Sequence, residues 1–479
     1  MTGARTGAQL LDRLRTHPPN LWYEGKPVDD PTSHPAMRNG VSSLAALYDL
    51  QWKHPEETLY DSNGAKFSKT FLIPRTAADL HSITHAMKLR ADAHFGLMGR
   101  APDYLNRAIT AYASGAAYLG EDDPRFSENA RRYYDYVRDH DLCLTHTLIT
   151  PQSNRSATTA HQADPFLAAR VKEETRDGIV IHGCRMLATL PFADELMVFP
   201  STVLKNQEED APYAFGLCLP TNTPGLKFLC RESVDYGRSH FDHPLGSRFE
   251  ELDSVVIFDN VFVPWDRVLL YRDVARCNSA YSRTGALNAM AHQVVVKNLA
   301  KSEFLIGLAS LLAETIAVEN FQHIQEKLAE IWVNMETTRA FLRASEADAA
   351  LDEFGMMRPA WDPLDAARNL FPRLYPRMIE IIQQIGASGL VAMPTAADLN
   401  GPLAEEIRRY FQAARAEALD RIPLFKLAWD AAVSAFGSRQ VLYERFFFGD
   451  PVRNAGVLVA SHDRRKYMDR VRDFLTPKL

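Results

Sequence analysis

The chain has 479 residues, 46% hydrophobic and 24% charged, with 54 Lys and Arg against 60 Asp and Glu and a formal net charge of −6. That length exceeds what one hydrophobic core usually organises, so two or three packed regions are expected. The balance excludes the basic footprint of a nucleic-acid binder and gives no general attraction to an anionic membrane surface. Five cysteines (Cys143, Cys184, Cys218, Cys230 and Cys277) stand singly, without a CxxC pair, so no metal or iron–sulfur site is expected. Such sparse usage suits a reducing cytoplasm. The first 25 residues carry charges throughout and do not read as a signal peptide, and no stretch reaches the roughly 18 apolar residues of a membrane span.

Residues 1–143 read mainly as helices. TAADLHSITHAMKLRADAHF places Leu80, Ile83, Met87 and Leu89 near helical spacing, LNRAITAYASGAAYL follows a Pro102-Asp103 start, and FSENARRYYDYVRDHDLCL reads as a further helix. The texture changes at residue 144. Through residue 272 come DGIVIHG, DELMVFP, YAFGLCLP, GLKFLC and DSVVIFDNVFVPWDRVLL, short β-type runs bounded by Gly, Pro, Asp and Asn. Their spacing predicts an antiparallel sheet or small barrel. Neither GxGxxG nor GxxxxGK[ST] occurs, so a Rossmann or P-loop phosphate site is not supported. From 273 to 479 helices return. FQHIQEKLAEIWVNMETTRAFLRA repeats Ile324, Leu328, Ile331, Met335 and Leu342 at about 3.6 residues, and 296–320, 372–390 and 404–436 read as similar long helices. The fold class is therefore α+β, mostly α, in the order helical, β, helical bundle.

Four patches carry candidate chemistry. GRAPDYLNR, 99–107, has a helix start at Pro102 and Asp103, which leaves Arg100 and Tyr104 unexplained. If they sit one helical turn apart, both face one ligand atom. THTLITPQSNRS, 145–156, puts His146 at the helical-to-β switch, either as a structural histidine or as a site residue, ahead of the polar loop PQSNR. RMLATLPFADELMVFPST, 185–202, offers hydroxyls at Thr189, Ser201 and Thr202 beside β-type runs, for which β-propensity is the plainer explanation. FGSRQVLYERFFFGDPVRN, 436–454, ends in a Gly449-Asp450-Pro451 turn with Arg453 beyond it, either a helix terminus or a holder of pyrophosphate. The set would suit a polarised phenolate and has no redox centre of its own, so redox chemistry would need a bound cofactor.

GRAPDY, LTHTLITPQSNRS, GCRMLATLPFADELMVFPST, IFDNVFVPWDRV, QIGASGL and RFFFGDPVR, in this order, resemble the oxygenase components of 4-hydroxyphenylacetate 3-monooxygenase, over roughly residues 10 to 475. These are the large subunits of two-component, reduced-flavin-dependent phenol hydroxylases. The resemblance implies an acyl-CoA-dehydrogenase-like fold with domains at 1–143, 144–272 and 273–479, in a homotetramer. It implies FAD, supplied as FADH2 by a separate NAD(P)H:flavin reductase. With O2 this gives a C4a-hydroperoxyflavin that hydroxylates a phenol ortho to its hydroxyl, here 4-hydroxyphenylacetate to 3,4-dihydroxyphenylacetate.

By the same resemblance Arg100, Tyr104 and His146 are catalytic and hold the phenol oxygen, and Ser201 and Thr202 meet the substrate's side-chain end. His146, Gln152, Ser153, Asn154, Arg155, Thr189 and the turn Gly449, Asp450, Pro451 and Val452 contact flavin. Relatives acting on chlorophenols or carrier-tethered tyrosines, an acyl-CoA dehydrogenase-like flavoprotein and a non-catalytic assembly protein are the competing readings. The 4-hydroxybutyryl-CoA dehydratases share the fold but need cysteine ligands on the helix near residue 100. GLMGRAPDYLNR has none, although His292 stands where a ligand histidine would lie.

Overall fold

The computed structural model describes residues 3–151, 153–205 and 208–475. Local chemistry sets the amino-terminal helices. Thr6 with Gln9 and Thr76 with Asp79 form capping boxes at Gly7–Thr16 and Ala77–Ala93, and Asp123 caps Pro124–His140. Pro102 opens Pro102–Ser114, in which every residue from Pro102 to Ala113 is buried.

Two sheets follow. The larger has the order Lys26–Pro27, Leu21–Tyr23, Leu226–Cys230, Asp253–Pro264, Gly178–Thr189, Arg170–Glu174. The smaller has the order Val268–Tyr271, Phe215–Pro220, Glu195–Val198, Leu144–Thr147. Each β-type run expected from the sequence forms a strand here. The pairings are antiparallel except two. Leu144–Thr147 runs parallel to Glu195–Val198, with His146 opposite Met197, and Leu21–Tyr23 runs parallel to Leu226–Cys230. Long connections separate both pairs, as parallel neighbours require.

The helical reading of the first 140 residues missed two strand pairs. Leu21–Tyr23 and Lys26–Pro27 add an edge to the larger sheet, and Leu59–Ser62 pairs with Ala65–Ser68. The latter hairpin turns at Asn63-Gly64, whose φ values of 50° and 79° are those of a primed turn. Strands this short show no readable periodicity.

In the carboxy-terminal part Ala286–Thr315 is a 30-residue helix buried on nearly all sides. It begins ten residues before the expected 296. It packs against Ala77–Ala93, Pro102–Ser114, Gln322–Ala347 and Trp361–Gly386. The stretch 404–436, read as one helix, is instead Ala404–Tyr410, Ala418–Ala432 and the start of Ala435–Phe446. The first break docks on the central helix, where Arg415 N–H donates to Thr315 O. At the second, Ser434 caps the next helix by accepting from Gly437 N–H. A Cβ on Gly437 would lie 2.5 Å from Ala431 O, so glycine lets the two helices meet.

Candidate active site

Arg100 and Tyr104 do meet, though not as helical neighbours. The helix begins at Pro102, so Arg100 lies outside it, before an extended Ala101 with ψ 151°. Proline at the first helical position excludes the helical conformation from the residue before it. The Arg100 side chain folds back instead, and its guanidinium carbon sits 4.4 Å from the Tyr104 ring centroid, 3.9 Å from Phe447 and 5.6 Å from Tyr443. Its Nη1 donates to Tyr443 Oη at 3.0 Å and its backbone N–H to Glu251 Oε1 at 2.6 Å, while its buried Nε has no partner among the described residues. Gly99 makes room for this cage, because a Cβ there would lie 2.1 Å from Tyr443 Oη.

His146 reaches the same place from the buried strand Leu144–Thr147. Its ring centroid is 5.7 Å from Tyr104 and 4.9 Å from Phe199, and its buried Nδ1 has no partner among the described residues. Burial, reinforced by the Arg100 charge, holds its pKa well below the usual 6.5, so the ring is a neutral hydrogen-bonding group. Burial raises the Tyr104 pKa, against the pull of Arg100. The imidazole therefore does not keep a proton it receives, and Arg100 is the charge that favours an ionised phenol.

A pH dependence of stability follows. Burial and the Lys301 charge depress His94 to about 3, and His146 is depressed as well. The unfolded chain then takes up two protons below about pH 6.5 that the folded chain refuses. Stability is level with respect to these groups above that pH and falls below it, by about 1.4 kcal/mol per pH unit for each histidine. In urea unfolding compared between pH 7 and pH 5, His146→Asn is expected to remove the contribution of His146 and so make the fall in stability shallower. An unchanged slope would show that His146 is protonated in the folded protein.

Thr189 is tied to Arg100 through charged side chains. Its hydroxyl donates to Asp253 Oδ1 at 2.7 Å, Arg439 holds Asp253 at 2.6 and 3.0 Å, and Arg439 reaches Glu251 at 3.1 Å. Burial alone would raise the Asp253 pKa, but Arg439 and Arg231 outweigh it and keep the carboxylate ionised, well below its usual range. An ionised carboxylate only accepts, so Thr189 Oγ1 spends its proton there and keeps acceptor capacity towards a ligand.

The other expected cofactor residues lie apart from the Arg100 cage. Asn154 and Arg155 line a cavity of about 430 Å³ together with Ser156, Thr158, Val203 and Lys205. Cations beside hydroxyl and amide groups are a donor set that fits a phosphate-bearing cofactor. Ser153 is exposed nearby, and Gln152 lies outside the described residues. Ser201 is buried and its hydroxyl accepts from Val203 N–H. The turn at Gly449, φ 103°, leads to Asp450, which caps Pro451–Ser461 by accepting from Arg453 N–H, while Val452 is exposed. That cap occupies a backbone donor that a pyrophosphate would have used. The Arg453 guanidinium donates to Thr202 O at 3.3 Å, which ties this turn to the Ser201-Thr202 loop.

Sequence reasoning missed Tyr443, Phe447, Glu251 and Arg439. The aromatic run Phe446 to Phe448 was the visible signal, but nothing local says that its middle ring covers an arginine more than 340 positions away. His292 is not poised for a metal. It pairs with Glu346 Oε1 at 3.0 Å and Thr84 Oγ1 at 3.2 Å, and the described residues hold no group of three metal-ligating side chains.

Comparison with known proteins decides the family. A family model described as the 4-hydroxyphenylacetate 3-hydroxylase N terminal matches residues 6–270, and one described as its C terminal matches residues 277–476. The chain belongs to the 4-hydroxyphenylacetate 3-hydroxylase family. This hydroxylase-family chain is 50% identical over 478 residues to the 4-hydroxyphenylacetate 3-monooxygenase oxygenase component of Thermus thermophilus, covering 99% of itself and 98% of that protein. It matches, with a TM-score of 0.96 at 50% identity and 98% coverage of both chains, a crystal structure of such an oxygenase component complexed with FAD and 4-hydroxyphenylacetate. An archaeal 4-hydroxybutyryl-CoA dehydratase from N. maritimus matches at a TM-score of 0.89 and 18% identity, over 99% of this chain and 96% of that one, and shares the fold alone. The hydroxylase-family fold is thus the expected acyl-CoA-dehydrogenase-like one. No helix among the described residues is long and apolar enough to cross a membrane.

Proposed function

We infer that the chain is the oxygenase component of a two-component, FAD-dependent monooxygenase that converts 4-hydroxyphenylacetate to 3,4-dihydroxyphenylacetate. The observation that carries this is the aromatic cage around Arg100, with a neutral His146 packed against the same Tyr104 ring, the Arg100 Nε and the His146 Nδ1 both being buried without a partner among the described residues. A cation and a neutral hydrogen-bonding ring, buried among aromatic faces, match a phenol that must become a phenolate. Negative charge on that oxygen raises electron density at the ortho carbon, the position attacked by an electrophilic oxygen. Bound FADH2 supplies the O2-activating chemistry.

In this reading Arg100 holds the phenolate oxygen and Tyr104 shapes the cage. His146 hydrogen-bonds the same oxygen, and the Ser201-Thr202 loop lies at the substrate's other end. Asn154, Arg155 and Lys205 hold phosphate groups of the cofactor, and Thr189 accepts a hydrogen bond from its ring system. Gly449 to Val452 close the site through Arg453 and Thr202. The remaining partners are O2 and a separate NAD(P)H:flavin reductase, in the cytoplasm. A homotetramer accords with the exposed apolar side chains of the carboxy-terminal helices. Trp332 and Val333 are over half exposed, and Arg465–Leu475 buries no residue while exposing Tyr467, Met468, Val471 and Phe474.

The test is a single turnover: protein with anaerobically reduced FAD and 4-hydroxyphenylacetate, mixed with oxygenated buffer. The expected product is 3,4-dihydroxyphenylacetate carrying one atom of labelled O2. Stoichiometric hydrogen peroxide with unchanged phenol would contradict the assignment.

A further inference from the structure

Two other buried arginines are pinned by carboxylates: Arg5 pairs with Asp194 at 2.6 Å, and Arg439 holds Glu251 and Asp253 at 3.1 and 2.6 Å. Arg100 is held differently. Among the described residues no carboxylate lies within ion-pair distance of its guanidinium, and Glu251 accepts only its backbone N–H. Its one side-chain hydrogen bond among them runs from Nη1 to Tyr443 Oη at 3.0 Å. An arginine side chain has many rotamers, so aromatic packing alone leaves its direction loosely set. A carboxylate would fix that direction but would also spend the positive charge that a phenolate needs. A neutral phenol oxygen fixes it and leaves the charge uncompensated. Burial raises the Tyr443 pKa well above its usual value, against the pull of Arg100, so this hydroxyl stays neutral.

Tyr443 is itself immobilised. Its ring stacks on Phe447 with centroids 4.8 Å apart and planes 29° apart. The Arg439 guanidinium lies 4.7 Å from its centroid and Lys297 Nζ 5.3 Å. Its hydroxyl occupies the space that a Cβ on Gly99 would need. The helix that carries it, Ala435–Phe446, is anchored on the same side. Gln440 donates to Leu97 O at 2.8 Å, and Glu444 accepts from Lys297 and Lys301. Arg439, Tyr443 and Phe447 follow at intervals of four and share one face. Arg439 holds the carboxylate that takes the Arg100 backbone N–H, while Tyr443 and Phe447 meet the guanidinium. One helical stripe thus holds Arg100 at both ends.

We propose that Tyr443 is a positioning residue for the hydroxylation: by holding Nη1, its oxygen fixes the orientation in which the Arg100 guanidinium offers Nε to the phenolate oxygen. This rests on the phenolic substrate and the role of Arg100 inferred above. Tyr443 acts through Arg100 and adds no charge of its own.

Tyr443→Phe keeps the stack on Phe447 and removes the oxygen. In the full-length, flavin-free protein, 4-hydroxyphenylacetate bound to Y443F is expected to ionise about one pH unit higher than when bound to the wild type, read from its phenolate absorbance against pH. Steady-state turnover with a flavin reductase should show kcat about tenfold lower and KM changed less than about threefold. A cycle with Arg100→Met separates positioning from a general structural role. Added to R100M, Y443F should lower kcat/KM less than about twofold further, because the side chain it positions is already gone. Losses that multiply across the cycle, or an unmoved ionisation midpoint in Y443F, would overturn the proposal. Failure of the underlying reading looks different: the wild-type protein would leave the phenol's midpoint at its free value, and R100M alone would cost nothing.

Discussion

Arg100→Met lowers kcat for 4-hydroxyphenylacetate about 10²- to 10³-fold, the loss expected when a buried group opposite a developing negative charge is removed. The side chain is not an ordinary surface cation. It lies 3.9 Å from the Phe447 centroid and 4.4 Å from Tyr104, so it works in a water-poor setting where charge interactions are strong. Methionine fills similar volume, so the cage of Tyr104, Tyr443 and Phe447 retains its packing and the variant folds. Oxygen consumption continues, but the oxygen appears as hydrogen peroxide, because an un-ionised phenol is a poor target for an electrophile. Steady-state turnover with separate assays for catechol and peroxide checks this. A variant that loses activity only through KM would place Arg100 in uniform binding instead.

Glu444→Gln is the change with the largest expected effect on stability. Lys297 and Lys301 are both fully buried and both donate to Glu444 Oε1 at 2.5 Å, with Lys301 also donating to Gln440 at 2.9 Å. Burial lowers the Lys297 pKa to about 7, against the attraction of Glu444. Burial would raise Glu444, but the two ammonium groups outweigh it and hold its pKa below the usual value. Removing the shared carboxylate leaves two buried amines without a counter-charge. A loss of about 3–5 kcal/mol is expected, read as a lower thermal midpoint and a lower denaturant midpoint. Replacing the trio together, as Lys297→Met, Lys301→Met and Glu444→Leu, should recover much of it, because apolar packing often equals a buried ion cluster. An E444Q protein as stable as the wild type would show that the trio carries little charge. The cluster also bears on the site, since Lys297 Nζ lies 5.3 Å from the Tyr443 ring and 5.4 Å from Phe447, two walls of the Arg100 cage.

The strands and the order of helical and β regions were legible because burial on a sheet or helix face writes a period into the sequence. Runs such as DGIVIHG and YAFGLCLP became strands, and Arg100, Tyr104 and His146 came together in space. The reason given for the first two was wrong. Helical spacing did not join Arg100 to Tyr104; a proline between them forced an extended link, and the guanidinium folded back. The Asn63-Gly64 hairpin and the breaks within 404–436 were illegible because they depend on turn geometry and on tertiary hydrogen bonds such as Arg415 to Thr315. The network from Arg100 through Glu251, Arg439 and Asp253 to Thr189 draws on distant segments, and no local pattern announces it.

The central claim is that the site ionises its phenol. An ultraviolet difference spectrum of 4-hydroxyphenylacetate bound to the flavin-free protein, recorded against pH, tests it most directly. A free phenol of this type ionises near pH 10. With Arg100 on its oxygen and a neutral His146 beside it, the bound ligand should show its phenolate band at a midpoint at least about two pH units lower. A bound ligand that stays protonated up to the midpoint of the free phenol would contradict the account.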